Sequence, residues 1–234
     1  MIGVVDARER RAQAVLDIAN AFLHADNVER VLMLLRGRLS EMMVGIDQSL
    51  YRKYVTLSAK GTPMLYVRLS KALYGMLKAA LLFYKRLRFD LIEMGFVVNP
   101  YDTCVSNMMV NGAQITVCLH VDDLKIFHRD EEVVIAIMIQ IAEIYGPKTN
   151  ISRGKVHDYL GMQLDFGTCP GSMIISMIKY LQKILDEWPE VLGGTKACPT
   201  TDNLFKFRED KDRVLLCEEM ARQFHRTKAQ LFYL

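Results

Sequence analysis

Apolar and polar residues alternate on both sides of two adjacent aspartates near the middle of the chain. Residues 115–129 read ITVCLHVDDLKIFHR, which predicts two strands joined at or near Asp122 and Asp123. Just before them, two apolar runs within residues 103–120 flank an Asn-Gly pair at 111–112, the strongest short signal for a hairpin turn. The pattern therefore predicts consecutive antiparallel strands that carry two acidic side chains at one tip.

Other segments show the period of amphipathic helices. Within residues 76–96 the apolar positions recur near helical spacing, and Gly95 supplies a stop. Residues 131–145 and 178–188 are also predicted to be helical. The sequence thus predicts helices interspersed among the strands, without internal repeats.

The remaining apolar runs complete the predicted fold. A run that begins at residue 14 predicts a short buried strand ending near Asp17, and residues 64–75 predict a strand leading into a glycine. Residues 156–177 predict a further hairpin, folded around the turn sequence GTCPG. Together these elements predict an α+β fold in which helices cover one face of a mainly antiparallel sheet.

The composition is that of an ordinary globular protein and excludes several classes. Of the 234 residues, 51% are hydrophobic and 24% are charged, and the net charge of +3 permits a nucleic-acid partner without requiring one. Five scattered cysteines show no CxxC spacing, so neither a zinc site nor a disulfide framework is predicted. No apolar run is long enough to span a membrane, and we expect an intracellular protein. Only about 16 residues precede the first strong motif, and the last residues follow an apolar helical pattern without a cap, which predicts a fragment of a longer chain.

The adjacent carboxylates are the main candidate for chemistry. Two ionised carboxylates in a partly buried site repel each other unless a cation compensates them. Mg²⁺ prefers oxygen ligands, and two such ions can align an attacking hydroxyl and a leaving pyrophosphate. A third carboxylate would have to come from a neighbouring strand, and Asp17 is the candidate. The alternative is that Asp122 and Asp123 only form a polar turn.

Four motifs in order resemble those of the reverse transcriptase of Ty1/copia-type retrotransposons. The resemblance extends over roughly residues 14–234 and continues into SMIKYLQKILDEW and ACPTTDN near the end of the chain. One such motif would be a weak signal, whereas four in the same order are a strong one. The four motifs are LDIANAFL (16–23), LSKALYGMLKAA (69–80), HVDD (120–123) and YLGMQL (159–164).

The resemblance implies a right-hand polymerase palm, an antiparallel sheet packed on helices, with partial fingers and the start of a thumb. Residues 1–166 would form the partial fingers and palm, and residues 167–234 the end of the primer-grip hairpin and a thumb-like helical region. The implied activity is RNA-directed DNA polymerisation from dNTPs on an RNA or DNA template-primer, with two Mg²⁺ or Mn²⁺ ions. The implied surroundings are a larger polyprotein with ribonuclease H and integrase, in the cytoplasm (in a virus-like particle) or the nucleus.

The resemblance also implies roles for single residues. Asp17, Asp122 and Asp123 match the three catalytic, metal-binding aspartates, and the backbone carbonyl of Ile18 would be a further metal ligand. Phe22 matches the aromatic steric gate that excludes a 2′-hydroxyl, although taken alone it is more typical of a core aromatic. The other implied contacts with nucleotide, template or primer are those of Tyr74, Gly75, His120, Tyr159 and Gly161.

Departures from the family pattern leave some assignments open. His120 stands where tyrosine is usual, and the proline and lysine that usually follow the LYG sequence are missing or shifted. Lys148 and Lys155 are both candidates for the general acid, and the sequence does not choose between them. Two alternatives to an active polymerase remain. One is a catalytically inactive remnant that keeps the palm fold, and the other is a different α+β metal-dependent nuclease or cyclase.

Overall fold

Antiparallel strands dominate the fold, and helices pack against them. The structure is a computed structural model that describes residues 2–189, 193–194 and 215–233. The strands are β1 (Ala12–Asp17), β2 (Leu32–Arg36), β3 (Thr56–Leu57), β4 (Pro63–Arg68), β5 (Val97–Val98), β6 (Val105–Val110), β7 (Ala113–His120), β8 (Asp123–His128), β9 (Asn150–Arg153), β10 (Val156–Tyr159), β11 (Met162–Asp165) and β12 (Ile174–Ser176). The helices are α1 (Ile2–Glu9), α2 (Arg38–Ile46), α3 (Gln48–Tyr51), α4 (Ala79–Glu93), α5 (Glu131–Tyr145), α6 (Ile178–Asp186) and α7 (Glu218–Leu231), with short 3-10 helices at Ala21–His24 and Arg52–Tyr54.

The chain divides into two units. Met1–His157 and Phe166–Met173 form the first, and Asp158–Asp165 and Ile174–Leu234 form the second. The first unit contains a six-stranded sheet with the order β5-β6-β7-β8-β1-β9 and a three-stranded sheet with the order β2-β4-β3. Strands β11 and β12, which pair with each other, and helices α6 and α7 belong to the second unit.

The predicted hairpins on either side of β7 are confirmed. Asn111 and Gly112 both have positive φ, 51° and 74°, and join β6 to β7 in a two-residue turn. Strand β8 then returns along β7 with His120 opposite Asp123. The α+β class with antiparallel sheets is therefore established.

The main core lies on one face of the six-stranded sheet. Alternate residues of the strands, such as Leu16 of β1 and Ile126 of β8, point to this face and are completely buried. Helices α4 and α5 cover it with side chains such as Phe83 and Ile141, which are also buried. Because side chains alternate along a strand, Asp17 and Asp123 point to the opposite face.

The prediction that helices cover only one face is wrong, because α1 lies at the opposite face. Asp6 of α1 is completely buried and interacts electrostatically with Lys125 of β8, which alternates with the core residues. The Nζ of Lys125 lies 4.6 Å from the ring centroid of Phe166, and Gly3 lies against Phe166 and Met173. A periodicity argument cannot assign a helix as short as α1 to one face.

Two other predicted segments differ from the structure. The predicted hairpin around GTCPG is present as β11 and β12, which pair antiparallel, but its first arm is shorter than predicted, because Leu160 and Gly161 have φ of 50° and 73° and divide residues 156–165 into β10 and β11. Helix α4 begins at Ala79 rather than at residue 76. The sequence left residues 27–45 undefined, and they form β2 and α2. The ACPTTDN motif lies outside the described residues.

Within the part of the chain that the structure describes, no helix is long and apolar enough to cross a membrane.

Asp6 carries a buried carboxyl group with an altered pKa. Neither of its carboxyl oxygens has a hydrogen-bond partner, and Nη1 of Arg11 lies 3.6 Å from Oδ1. Burial raises the pKa of Asp6 to about 6, against the lowering effect of the positive charges of Lys125 and Arg11. The stability of the first unit should therefore depend on pH through this group.

Replacement of Asp6 by Asn is expected to remove part of the pH dependence of stability. Between its usual pKa of 3.8 and the native value of about 6, the native state keeps a proton that the unfolded state has released. The free energy of unfolding therefore falls as pH rises from about 4 to about 6, by up to about 3 kcal/mol. Urea unfolding across this range should show the fall in wild type and in the exposed control Glu143→Gln, but not in Asp6→Asn. An equal fall in Asp6→Asn would contradict the assignment.

Candidate active site

The pairing of β1 with β8 places two of the three aspartates opposite each other. Asp17, the last residue of β1, is the register partner of Asp123, the first residue of β8. Directly opposed residues of antiparallel strands have their side chains on the same face, about 5 Å apart at Cβ. The backbone N–H of Ile18 donates to the carbonyl oxygen of Asp122 at 3.1 Å, which continues the pairing into the tip. Asp17 and Asp123, which are 106 positions apart in sequence, are thus neighbours.

The tip between β7 and β8 is a tight turn that presents Asp122. Val121 has φ of 56°, a left-handed conformation that is costly for a β-branched residue. Leu119 and Leu124, on the two sides of the turn, are buried in the core. The turn is therefore anchored by apolar side chains on one face of the sheet, while Asp123 points to the other. A strained backbone conformation that is maintained by the surrounding structure, like that of Val121, is common at functional sites.

The charges of the three aspartates interact. The pKa of Asp123 is raised, first by burial and then by the negative charges of Asp122 and Asp17, while His120 acts in the opposite direction. On the far side of β1, Nδ2 of Asn150 donates to Oδ2 of Asp17 at 3.3 Å. Asn150 was missed by sequence reasoning, because a single asparagine after a helix gives no signal that β9 will pair with β1.

The donor set at this tip fits hard divalent cations by its chemistry. Its carboxylate oxygens are the ligands that Mg²⁺ and Mn²⁺ prefer, and the mutual repulsion seen in the raised pKa of Asp123 is what a cation would relieve. Among the residues that the structure describes, however, no three or more His, Cys, Asp or Glu side chains are already gathered closely enough to hold a metal ion. The carboxylates are therefore neighbours without forming a closed metal cage.

Phe22 lies beside the aspartates but is mostly covered. It belongs to the 3-10 helix that follows β1, and only 8% of its surface is exposed. Its ring centroid lies 4.2 Å from that of Tyr74 and 6.3 Å from that of Phe83 in the core. Phe22 is thus a core aromatic, and Tyr74, which contacts both Phe22 and Asp122, lies between its ring and the aspartates.

Tyr74 and Gly75 lie in a turn that precedes helix α4. The N–H of Met76 donates to the carbonyl oxygen of Leu73 at 3.0 Å, and Gly75 has φ of 93°. This is the geometry of a type II turn, in which the third residue needs the positive φ that glycine allows. Helix α4 begins only at Ala79. The turn directs the hydroxyl of Tyr74 to Oδ2 of Asp122, at 3.4 Å.

Comparison with known proteins identifies the family. A family model described as reverse transcriptase (RNA-dependent DNA polymerase) matches residues 2–202, most of the chain. The chain belongs to this family. The motifs of the Ty1/copia type that its sequence contains are therefore confirmed as marks of membership. Among curated proteins, no match to the sequence is found.

Solved structures similar to this reverse transcriptase domain include telomerases. The Candida albicans telomerase in complex with a TWJ fragment of telomeric RNA is 11% identical, with a TM-score of 0.36, over 70% of this chain and 33% of that one. The apo telomerase of Candida tropicalis is 9% identical, with a TM-score of 0.37, over 70% and 34% of the two chains. The same enzyme truncated from its C-terminal domain is 10% identical, with a TM-score of 0.37, over 75% and 38%. This chain spans about a third of their length.

Tyr159 and Gly161, the residues that resemble a primer grip, belong to the second unit. Gly161 lies in the turn between β10 and β11, where its Cα hydrogen faces the rings of Tyr180 and Tyr233. The hydroxyl of Tyr233 donates to the carbonyl oxygen of Leu160, and the rings of Tyr180 and Tyr233 are 5.6 Å apart. The turn of this reverse transcriptase domain is thus held against α6 and the end of α7 by two tyrosines.

The two candidate general acids of this reverse transcriptase domain lie in different places. Lys148 lies in the connection between α5 and β9, next to the strand that pairs with Asp17. Lys155 lines a cavity of about 510 Å³ together with Arg10, Arg11 and Arg129. Neither lysine is among the charges that shift the pKa of Asp123. The choice between them stays open.

Proposed function

We propose that this chain is the palm-containing part of an RNA-directed DNA polymerase. It would add dNTPs to a primer 3′-hydroxyl on an RNA or DNA template. The single observation that carries the proposal is the register of β1 and β8, which makes Asp17 the neighbour of Asp123 beside the Asp122 tip. Family membership makes a polymerase the expected activity. The right-hand palm, with residues 1–166 as partial fingers and palm and 167–234 as primer-grip end and thumb, is part of this proposal.

Asp17, Asp122 and Asp123, with the backbone carbonyl of Ile18, would hold two Mg²⁺ or Mn²⁺ ions. When bound, these ions would lower the pKa of the primer 3′-hydroxyl and neutralise charge on the leaving pyrophosphate. The chain itself orients the carboxylates, because apolar residues on both sides of the tip are buried in the core. Asn150 restrains the carboxylate of Asp17 through its hydrogen bond. The proposed catalytic groups therefore stand on rigid strands.

The remaining site residues would position substrates. His120, opposite Asp123 at the tip, would flank the primer terminus, and Tyr159 and Gly161 would form the primer grip. Tyr74 and Gly75 would meet the incoming nucleotide and template. The template-primer would be held mainly through its phosphates, so binding should weaken as salt rises. We further propose the setting implied by the resemblance, a polyprotein with ribonuclease H and integrase in cytoplasmic particles or the nucleus.

Primer extension on a defined template-primer tests this function. The purified chain is incubated with labelled primer, an RNA or a DNA template, and dNTPs, with Mg²⁺, Mn²⁺ or EDTA. Template-directed addition that EDTA abolishes is expected. Salt-dependent binding of the template-primer with no addition under any condition would instead support an inactive remnant. Hydrolysis of the nucleic acid without a template requirement would support a nuclease.

Replacement of Phe22 by Val is expected to raise ribonucleotide incorporation. Removal of the aromatic ring would open space beside the sugar of the incoming nucleotide, so that a 2′-hydroxyl is tolerated. A loss of selectivity of about 10- to 100-fold corresponds to about 1–3 kcal/mol, which is typical of one steric contact. The ratio of kcat/KM for dNTP to that for rNTP measures it. Phe89→Val is the control, because Phe89 is 57% exposed on α4. An unchanged ratio in Phe22→Val would remove Phe22 as the gate.

A further inference from the structure

Tyr74 contacts two groups to which the proposed function gives separate tasks. Its hydroxyl donates to Oδ2 of Asp122 at 3.4 Å, and its ring lies 4.2 Å from the ring of Phe22 with a tilt of 35°. Tyr74 is 52% exposed, whereas Phe22 beneath it is only 8% exposed. Tyr74 therefore binds the carboxylate that is proposed to hold a cation, and it covers the Phe22 ring that is proposed to contact the sugar of the incoming nucleotide.

The backbone under Tyr74 is fixed to the segment that carries Phe22. The N–H of Ala72 donates to the carbonyl oxygen of Ala25 at 2.9 Å, and Lys71 forms an ion pair with Asp26 at 2.6 Å. Between Ala72 and Tyr74 there is one residue, and the turn at Gly75 follows at once. Because the backbone is tied at this point, uncovering of Phe22 requires rotation of the Tyr74 side chain and not displacement of the whole loop.

The hydroxyl of Tyr74 acts as a donor to Asp122 at neutral pH. A phenol is protonated at neutral pH, so the hydroxyl can donate while the carboxylate accepts, at 3.4 Å. When Oδ2 of Asp122 accepts this hydrogen bond, the lone pair that it uses is less available to a cation. The hydroxyl and a cation at Oδ2 of Asp122 are therefore competitors for one oxygen.

We propose that Tyr74 is a positioning residue that couples cation binding at Asp122 to exposure of the Phe22 ring. Without cation and nucleotide, its hydroxyl orients Asp122 and its ring shields Phe22. A cation at Asp122 displaces the hydroxyl, the side chain rotates, and the face of Phe22 becomes available to the sugar. This inference rests on the proposed function, because it takes Asp122 as a cation ligand and Phe22 as the sugar contact.

Binding of Mn²⁺ in the absence of nucleotide tests the hydroxyl, with electron paramagnetic resonance as the readout. Tyr74→Phe keeps the ring and removes the competitor, so Mn²⁺ should bind about three- to tenfold more tightly, the effect of one modest hydrogen bond to a charged group. Tyr66→Phe is the control, since Tyr66 is an exposed tyrosine of β4, and should leave the affinity unchanged. Asp122→Asn should weaken binding, which assigns the signal to this site. Unchanged affinity in Tyr74→Phe would overturn the inference.

The kinetics of nucleotide addition test the role of the Tyr74 ring. Tyr74→Phe should lower the Mn²⁺ concentration for half-maximal extension by about three- to tenfold, and should keep the wild-type preference for dNTP. Tyr74→Ala should lose part of that preference, because the Phe22 ring then lacks the contact with Tyr74 that positions it before the nucleotide binds. Equal loss in both variants would overturn the role of the ring. Circular dichroism spectra and melting temperatures of both variants that match those of wild type exclude misfolding.

The two tests distinguish the proposed coupling by Tyr74 from the proposed polymerase function on which it rests. The resonance measurement needs no extension, so tighter Mn²⁺ binding by Tyr74→Phe in a chain that never extends a primer would support the competition at Asp122 and contradict the polymerase. Extension by wild type together with unaltered Mn²⁺ binding by Tyr74→Phe would support the polymerase and contradict the coupling. Mn²⁺ binding that Asp122→Asn leaves intact would contradict both.

Discussion

Primer extension is expected to fall at least about a thousandfold when Asp17, Asp122 or Asp123 is replaced singly by Asn. Each substitution keeps the size of the side chain and removes one negative charge from a site that would hold two divalent cations. Loss of a few kcal/mol of transition-state stabilisation corresponds to this factor. The rate of single-nucleotide addition on a fixed template-primer measures it.

Asp186→Asn provides the matched control for these variants. Asp186 is an exposed residue of α6 that accepts a hydrogen bond from Gln182 at 2.8 Å, so the same chemical change should leave extension within about twofold. The three active-site variants should also bind template-primer, since the phosphate contacts remain. Wild-type extension by Asp122→Asn would contradict the proposed role of the tip.

The stability of the first unit is expected to fall by about 3–5 kcal/mol when Phe83 is replaced by Ala. Phe83 is completely buried between Phe22 and Tyr145, whose ring centroids lie 6.3 and 5.9 Å away. Removal of its ring leaves a cavity that the surrounding strands and helices can fill only in part. Urea unfolding, followed by circular dichroism, measures the change in the free energy of unfolding.

Phe89→Ala is the control, because the same side chain is removed from the same helix at a position that is 57% exposed. It should cost less than about 0.5 kcal/mol beyond any change in helix propensity. Phe83→Leu, which keeps most of the buried volume, should lie between the two. A loss below about 1 kcal/mol in Phe83→Ala would mean that the core collapses around the missing ring and that Phe22 has other support.

Elements governed by local rules were predictable from the sequence. The Asn111-Gly112 turn was predicted because both residues tolerate positive φ, and both adopt it. Helix α5 has the predicted bounds, residues 131–145, because Asp130 caps its first turn and its apolar positions recur at helical spacing. These features depend on residues that are close together along the chain. Prediction therefore needed no knowledge of the rest of the fold.

Elements that depend on distant partners were predicted less well. The turn at Leu160 and Gly161 lacks an Asn-Gly or Asp-Gly signal, and a leucine with positive φ is held there by Tyr233, more than 70 positions later. The helix that the apolar pattern predicted from residue 76 begins only at Ala79. The backbone, however, follows its hydrogen bonds to residues 25–27. In each case a long-range contact overrode the local pattern.

The sequence by itself determined the family and pointed to three candidate aspartates, because motif order is a property of the chain alone. Only the tertiary structure decided that Asp17 pairs with Asp123, that Asn150 restrains Asp17, and that Tyr74 joins Asp122 to Phe22. The physical reason is that strand register and side-chain contact are set by burial of the whole sheet face. A shift of one position in β1 would turn Asp17 and the other side chains of that strand to the opposite face.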